Sequence, residues 1–219
     1  MVGRIFSLEK IRLLPFLLLR FSKYQEIKGV ILAYIRVKKL RKKSGKEYRY
    51  AYVVENKWRK RGSHGSKKGA RQKVKAYLGK VYDFKRVFDK EFVAHFSVGD
   101  VKEHVDLYGI DGVARNLVRL ELLNHGFEEV GDFYSNGSLA VYINDKEFLI
   151  KHLKEEKDKK IVLAMNEGFL CKETFSNLIK FKGNGNEQEV GLQLANAFVE
   201  AGLKVPKEVF VEVFGKVVE

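Results

Sequence analysis

The sequence predicts an α+β protein of two parts: a small basic three-stranded antiparallel sheet at about 32–86, followed by a mostly helical domain at 91–219 with one β-hairpin. Three observations carry this expectation. Residues 32–90 hold 21 Lys and Arg against 4 Asp and Glu, whereas residues 91–219 hold 15 against 22. Apolar and polar residues alternate with period two in three runs inside the basic segment, the pattern of half-buried strands. After about Lys90 the apolar residues recur at helical spacing instead.

The chain of 219 residues is long enough for one medium domain or two small ones. Its hydrophobic fraction of 45% and aromatic fraction of 12% supply a real core and argue against global disorder. The single cysteine, Cys171, excludes an internal disulfide and fits a reducing, cytoplasmic setting. The net charge of +14 comes from one segment. Thermophile-like surfaces mix both signs, so a one-sided excess points to a polyanionic partner.

Met1 to Ile31 reads as an N-terminal extension. Its apolar run Leu13 to Leu19 is closed by Arg12 and Arg20 and is far shorter than the roughly 20 residues a bilayer span needs. No membrane partner is therefore expected. Three readings stay open: an amphipathic helix packed on the body, a poor signal peptide without a small-residue cleavage site, or a segment that is not translated. The last rests on Gln25-Glu26, encodable as a ribosome-binding sequence, upstream of Val30, encodable as a GTG start.

In the basic segment, Ala33, Ile35 and Val37 fall on one face of a first strand; Tyr34, Arg36 and Lys38 fall on the other. Arg41-Lys42-Lys43-Ser44-Gly45-Lys46 reads as a turn. On a second strand Tyr48, Tyr50, Tyr52 and Val54 oppose Arg49, Ala51 and Val53. Trp58-Arg59-Lys60-Arg61 ends it, and Gly62 to Gly69 is a basic loop. The third strand, Arg71 to Leu78, sets Arg71, Lys73, Lys75 and Tyr77 against Gln72, Val74, Ala76 and Leu78. Gly79 is expected to break it, with Val81 to Phe84 as a continuation.

Further on, Asp100 to Leu107 and Asp111 to Asn124 read as helices. The second has Asp111 as N-cap, an apolar stripe of Val113, Leu117, Val118, Leu120 and Leu123, and Gly126 past its end. Val130 to Tyr134 and Leu139 to Ile143 read as a hairpin about Asn136-Gly137. Phe148 to Leu153, Glu167 to Phe181 and Glu187 to Ala201 read as helices. A last helix after Pro206 carries Val209, Phe210, Val213, Phe214 and Val217. A stripe this apolar must be covered, by its own domain or by a second copy in a homodimer.

The expected site is nucleic-acid-binding. Arg36, Lys38, Arg71, Lys73 and Lys75 alternate with apolar residues, so a sheet presents them together to neutralise phosphates. Arg41, Lys42, Lys43, Arg49, Arg59, Lys60, Arg61, Lys67, Lys68 and Lys80 add charge along the same segment. Trp58 and Tyr77 are placed to stack on bases. Tyr48, Tyr50 and Tyr52 are expected to be ordinary core-filling strand residues. The stretch Tyr34-Ile35-Arg36-x-Lys38-Lys39, Gly45, Tyr48, Tyr52-Val53-Val54-Glu55, Arg59, Arg71-Gln72-Lys73-Val74 and Tyr77-Leu78-Gly79-Lys80 resembles the N-terminal segment of insertion-sequence DDE transposases. In that family the segment helps the enzyme engage DNA, so the resemblance implies a double-stranded DNA partner.

The resemblance stops at about fifty residues. A DDE enzyme needs an RNase-H-like domain with three metal-binding carboxylates. Asp100, Asp106, Asp111, Asp132 and Asp145 are better explained as caps and turn residues. The histidines His64, His95, His104, His125 and His152 lack metal-ligand spacing. Cys171 reads as a small core residue, and Gly183-Asn184-Gly185-Asn186 lacks the ending of a P-loop. The expectation is a non-catalytic protein without metal or cofactor. Its rival partners are structured RNA, the ribosome above all, and an acidic protein.

Overall fold

The computed structural model describes residues 33–59, 69–144, 146–154 and 159–218. The expected extension of 1–31 and most of the Gly62 to Gly69 loop lie outside these residues. The chain divides into two compact units. The larger comprises 35–54 and 74–219; the smaller contains, among described residues, 33–34, 55–59 and 69–73.

Among the described residues there are two sheets and five helices. Strands β1 (Ala33–Arg41), β2 (Glu47–Arg59) and β3 (Gly69–Asp83) are neighbours in that order, and beyond β3 the sheet adds β8 (Ile161–Met165) and β9 (Gly168–Leu170). The basic strands thus belong to a five-stranded mixed sheet rather than a three-stranded antiparallel one. β3 and β8 run parallel, with Lys80 opposite Ile161 and Tyr82 opposite Leu163; β8 and β9 form an antiparallel hairpin. A second sheet is an antiparallel meander of β4 (Glu128–Val130), β5 (Phe133–Ser135), β6 (Leu139–Ile143) and β7 (Phe148–His152).

The helices are α1 (Phe92–His95), α2 (Val101–Asn124), α3 (Lys172–Ile179), α4 (Glu187–Glu200) and α5 (Lys207–Val218). The part after Lys90 thus has more helix than strand, but it carries six short strands where one hairpin is expected. Phe148 to Leu153, expected as a helix, is strand β7. The expected helix from Glu167 begins with strand β9 and turns helical only at Lys172. Both errors have one cause: an apolar run of three to five residues is too short for its period to separate strand from helix. The Asn136-Gly137 hairpin is present between β5 and β6, but Val130 to Tyr134, expected as its first strand, is cut by the turn that joins β4 to β5. Asn136 Oδ1 accepts from the N–H groups of Ser138 and Leu139, and Gly137 takes a φ of 80°.

Helix α2 is the centre of the larger unit. Asp100 Oδ1 caps it by accepting from Glu103 N–H at 2.9 Å. Gly109, with φ 61° and ψ −175°, interrupts the helical backbone between the two helices the sequence predicts. The second half is buried nearly all round, from Val113 to Asn124. The expected apolar stripe lies within it, Leu123 only half-buried. Its end is a Schellman motif. Gly126 N–H donates to Leu123 O and Phe127 N–H to Leu122 O, with Gly126 at a φ of 79°.

A helix buried on every side must pair its polar side chains internally. Glu121, 1% exposed, accepts from Arg86 at 2.8 Å and from Asn166 Nδ2 at 2.9 Å. Asn124, fully buried, accepts from Lys90 N–H and donates to Lys90 O, while its own carbonyl accepts from Val87 and Phe88 N–H. The last turn of α2 thus holds the segment that leaves β3.

Helix α5 covers its apolar stripe within its own chain. Val209 and Val213 are fully buried, and Phe210, Phe214 and Val217 pack against the same core. The stripe therefore gives no ground for a second copy. Asn186 and Glu189 form a capping box at the start of α4, which accounts for the Gly183 to Asn186 loop without a phosphate.

Glu121→Ala would leave Arg86 without its buried carboxylate and should cost about 3 kcal/mol. Chemical denaturation measures it, and a loss under about 1 kcal/mol would contradict the pairing described. Gly79, at φ 144°, has no room for a side chain: a Cβ there would meet Lys160 O at 2.4 Å. Gly79→Ala should therefore lower stability by about 3 kcal/mol, read from the same denaturation curves.

Candidate nucleic-acid interface

The first three strands separate their two faces by residue type. Within the larger unit, Ile35 and Val37 of β1, Ala51 and Val53 of β2 and Leu78 and Val81 of β3 pack with Val162, Ala164, Phe169 and Cys171 into one apolar cluster. Strand alternation places Arg36, Lys38, Tyr48, Tyr50, Tyr52, Lys75 and Tyr77 on the opposite face. Gly79 does not break β3, which runs unbroken to Asp83. It shifts the alternation by one residue, so Leu78 and Val81 share the apolar cluster and Lys80 and Tyr82 continue the other face. Gly79 also lets the backbone of β3 approach Lys160, whose carbonyl accepts from Lys80 N–H at 2.9 Å.

Ring and ammonium groups interleave on that second face. Tyr77 packs against Tyr52 with centroids 5.4 Å apart and against Tyr50 at 6.3 Å. Lys38 Nζ lies 5.1 Å from the Tyr52 ring centre, and Lys42 lies 4.8 Å from Tyr48. Lys80 sits over both Tyr48 and Tyr82, at 5.3 and 4.6 Å. Cation–π contacts of this kind contribute about 0.5–1 kcal/mol each at exposed sites. They hold ammonium groups in a fixed array while leaving the charges uncancelled.

Tyr48, Tyr50 and Tyr52 are therefore not core residues; they are half-buried members of the basic face. The role expected of them falls to the small residues across the sheet. A tyrosine fits either face of a half-buried strand, so period two alone did not assign it. Two carboxylates of these strands, Glu47 and Asp83, alternate in step with the apolar side. Glu47 pairs with Lys39 at 3.5 Å, and Asp83 accepts from Arg49. Arg49 thus faces away from Lys38 and Lys75 and is bound to an acid, unlike the role expected of it. Arg41, Lys42 and Lys43 are exposed at the β1–β2 turn, which is closed by Gly45 N–H on Lys42 O.

The smaller unit holds Arg71 and Lys73, both exposed, in the first part of β3. There Tyr34 donates to Asn56 Oδ1 at 3.4 Å and accepts from Gln72. Trp58 and Arg59 belong to β2. Lys60, Arg61, Lys67 and Lys68 lie outside the described residues.

Five of the other candidates for chemistry are used structurally. Asp100 is a helix cap, Asp106 pairs with Lys216 at 2.7 Å, and Asp111 pairs with Arg115 at 3.1 Å. His125 is buried against Glu121. Cys171 is fully buried as the N-cap of α3, and burial pushes its thiol up, away from the reactive thiolate. Among the described residues no group of three His, Cys, Asp or Glu side chains converges to hold a metal ion, and no helix is long and apolar enough to cross a membrane. No family model, curated protein or solved structure matches the chain.

The tyrosine cluster has a signature in alkali. Burial, and then the charges Tyr50 and Tyr52 acquire, raise the Tyr77 phenol above its ordinary 10.0. A folded value above the unfolded one gives stability that is whole below about pH 10 and is lost as pH rises through the folded value. Tyr77→Phe should make that alkaline loss shallower, as measured by denaturation midpoints on either side of pH 10.

Proposed function

We propose that this chain binds nucleic acid without catalysing a reaction, through the Lys-, Arg- and Tyr-bearing face of β1 to β3. One observation carries the reading: along the described part of that face the ammonium groups of Lys38, Lys42 and Lys80 interleave with the rings of Tyr48, Tyr52 and Tyr82. A cationic face attracts a polyanion by releasing its condensed counterions. The rings supply flat apolar area on which sugars or bases rest.

Double-stranded DNA is the favoured partner. The transposase-like segment supports it, and β-ribbons enter the major groove. The ring-rich character of the face favours a second reading, structured or single-stranded RNA, because splayed bases stack on aromatic side chains. An acidic protein would meet the charges but would have no use for so many rings.

The test is a titration of the full chain against duplex DNA, folded RNA and an acidic protein at two salt concentrations. With six to ten phosphate contacts, affinity for the true nucleic acid should fall by about 10³–10⁵ between 50 and 200 mM salt. Lys38→Glu with Lys75→Glu should weaken binding at least about tenfold and flatten the salt slope by about 2. Unchanged affinity in a folded double variant would move the site elsewhere. A preference for the acidic protein would replace the nucleic-acid reading.

A further inference from the structure

A pocket of about 460 Å³ opens where β3 meets the β5–β6 turn and the end of β7. Its polar lining is Lys80, Tyr82, Asn136, Ser138, His152 and Lys154, over Phe84 and Leu139. The Tyr82 hydroxyl and His152 Nε2 are 2.6 Å apart, and the two rings meet edge to face at 5.2 Å. Leu153 N–H donates to Ser138 O at 3.0 Å, which fixes the end of β7 beside the turn. Asn136 Oδ1 is taken by two backbone N–H groups, leaving its amino group as the remaining donor. The lining has one acid, Asp83, and that carboxylate accepts from Arg49. Two ammonium groups, an imidazole and several neutral donors therefore line one pocket, and the one acid of its lining among the described residues is already paired.

This chemistry selects a compact anion attached to something flat. We infer that the pocket takes a phosphomonoester, with the phosphate between Lys80 and Lys154 and the attached nucleoside against Tyr82 and His152. A phosphomonoester carries about −1.5 to −2 charges at pH 7, more than a backbone phosphodiester, and so gains more from two ammonium groups. The phosphate has two sources. One is the terminal phosphate of a strand lying on the β1 to β3 face, which Lys80 and Tyr82 share with the pocket; this source rests on the function proposed above. The other is a free mononucleotide, which does not.

The experiment uses the full chain and three probes: inorganic phosphate, AMP, and a short oligonucleotide of one sequence carrying either a 5′-phosphate or a 5′-hydroxyl. Lys154→Glu is exposed and should fold normally; His152→Gln is the second variant, and Lys38→Glu is the control on the open face. The phosphorylated oligonucleotide should bind about tenfold more tightly than the hydroxyl form, in keeping with one charge-assisted contact set, and Lys154→Glu should erase the difference. Equal affinity of the two oligonucleotides, with AMP bound and then lost in Lys154→Glu, supports the pocket and assigns the free nucleotide as its ligand. AMP bound without either oligonucleotide would sink the open-face reading and leave the pocket standing. The pocket proposal is overturned if phosphate and AMP fail to bind and the two oligonucleotides bind equally, or if Lys154→Glu and His152→Gln change nothing.

Discussion

The structure of the larger unit depends on the enclosure of the second half of α2. Once Val113 to Asn124 is surrounded, each polar side chain along it needs a protein partner, because an unmet buried donor or acceptor costs about 1–3 kcal/mol. Those partners fix the surroundings of the helix. Arg115 reaches Asn144 O, and Arg119 reaches Ile143 O, so the β6–β7 connection is held to the helix. Glu121 binds Arg86 and Asn166, and Asn124 binds Lys90. The exit of β3 and the β8–β9 turn are thereby anchored to one helical turn.

That anchoring bears on the candidate interface. A cationic array works only if its charges stay close, and close cations repel each other in the absence of ligand. Three features oppose that repulsion here: the apolar cluster on the reverse of the sheet, the parallel pairing of β3 with β8, and the tyrosine rings between the ammonium groups. Lys160 adds to them, donating to Glu173 at 2.7 Å and to Tyr77 O at 3.3 Å, which ties β3 to the start of α3. The repulsion stored in the face is offset by packing elsewhere, and it becomes available as attraction when phosphates arrive.

Where a residue's type fixes its surroundings, the sequence was readable. The alternation of β1 to β3, the Asn136-Gly137 turn and the glycine ending α2 each carry a local signal with a physical cause, whereas Asp111, expected as an N-cap, lies inside α2, which Asp100 caps. Strand β8 gave none: Ile161 to Met165 is five residues, nearly all buried, with no alternation to read. Gly79 was legible as an interruption but not as a shift in face, since only the approach of Lys160 explains why the strand continues through it. Of the site, the charges were visible because their density is unusual. The three tyrosines of β2 were assigned to the wrong face's role because aromatic side chains serve both. The pocket was illegible altogether, since its polar groups come from three segments whose proximity only the tertiary fold creates.

The charge division gains a physical meaning on the proposed function. Residues 32–90 are strongly positive and residues 91–219 are net negative, by 22 acids to 15 bases. A protein positive throughout would be held by a polyanion in any orientation. An acidic portion is repelled by the same phosphates that attract the strands, so the field of the ligand itself selects the encounters in which the cationic face arrives first. Some acids of the later segment also serve the fold as caps and ion-pair partners, as Asp100, Asp106 and Glu173 do. Orientation by field and retention by rings are then separate tasks: the first weakens with salt, whereas the second, resting on Tyr52, Tyr77 and their neighbours, persists when the charges are screened.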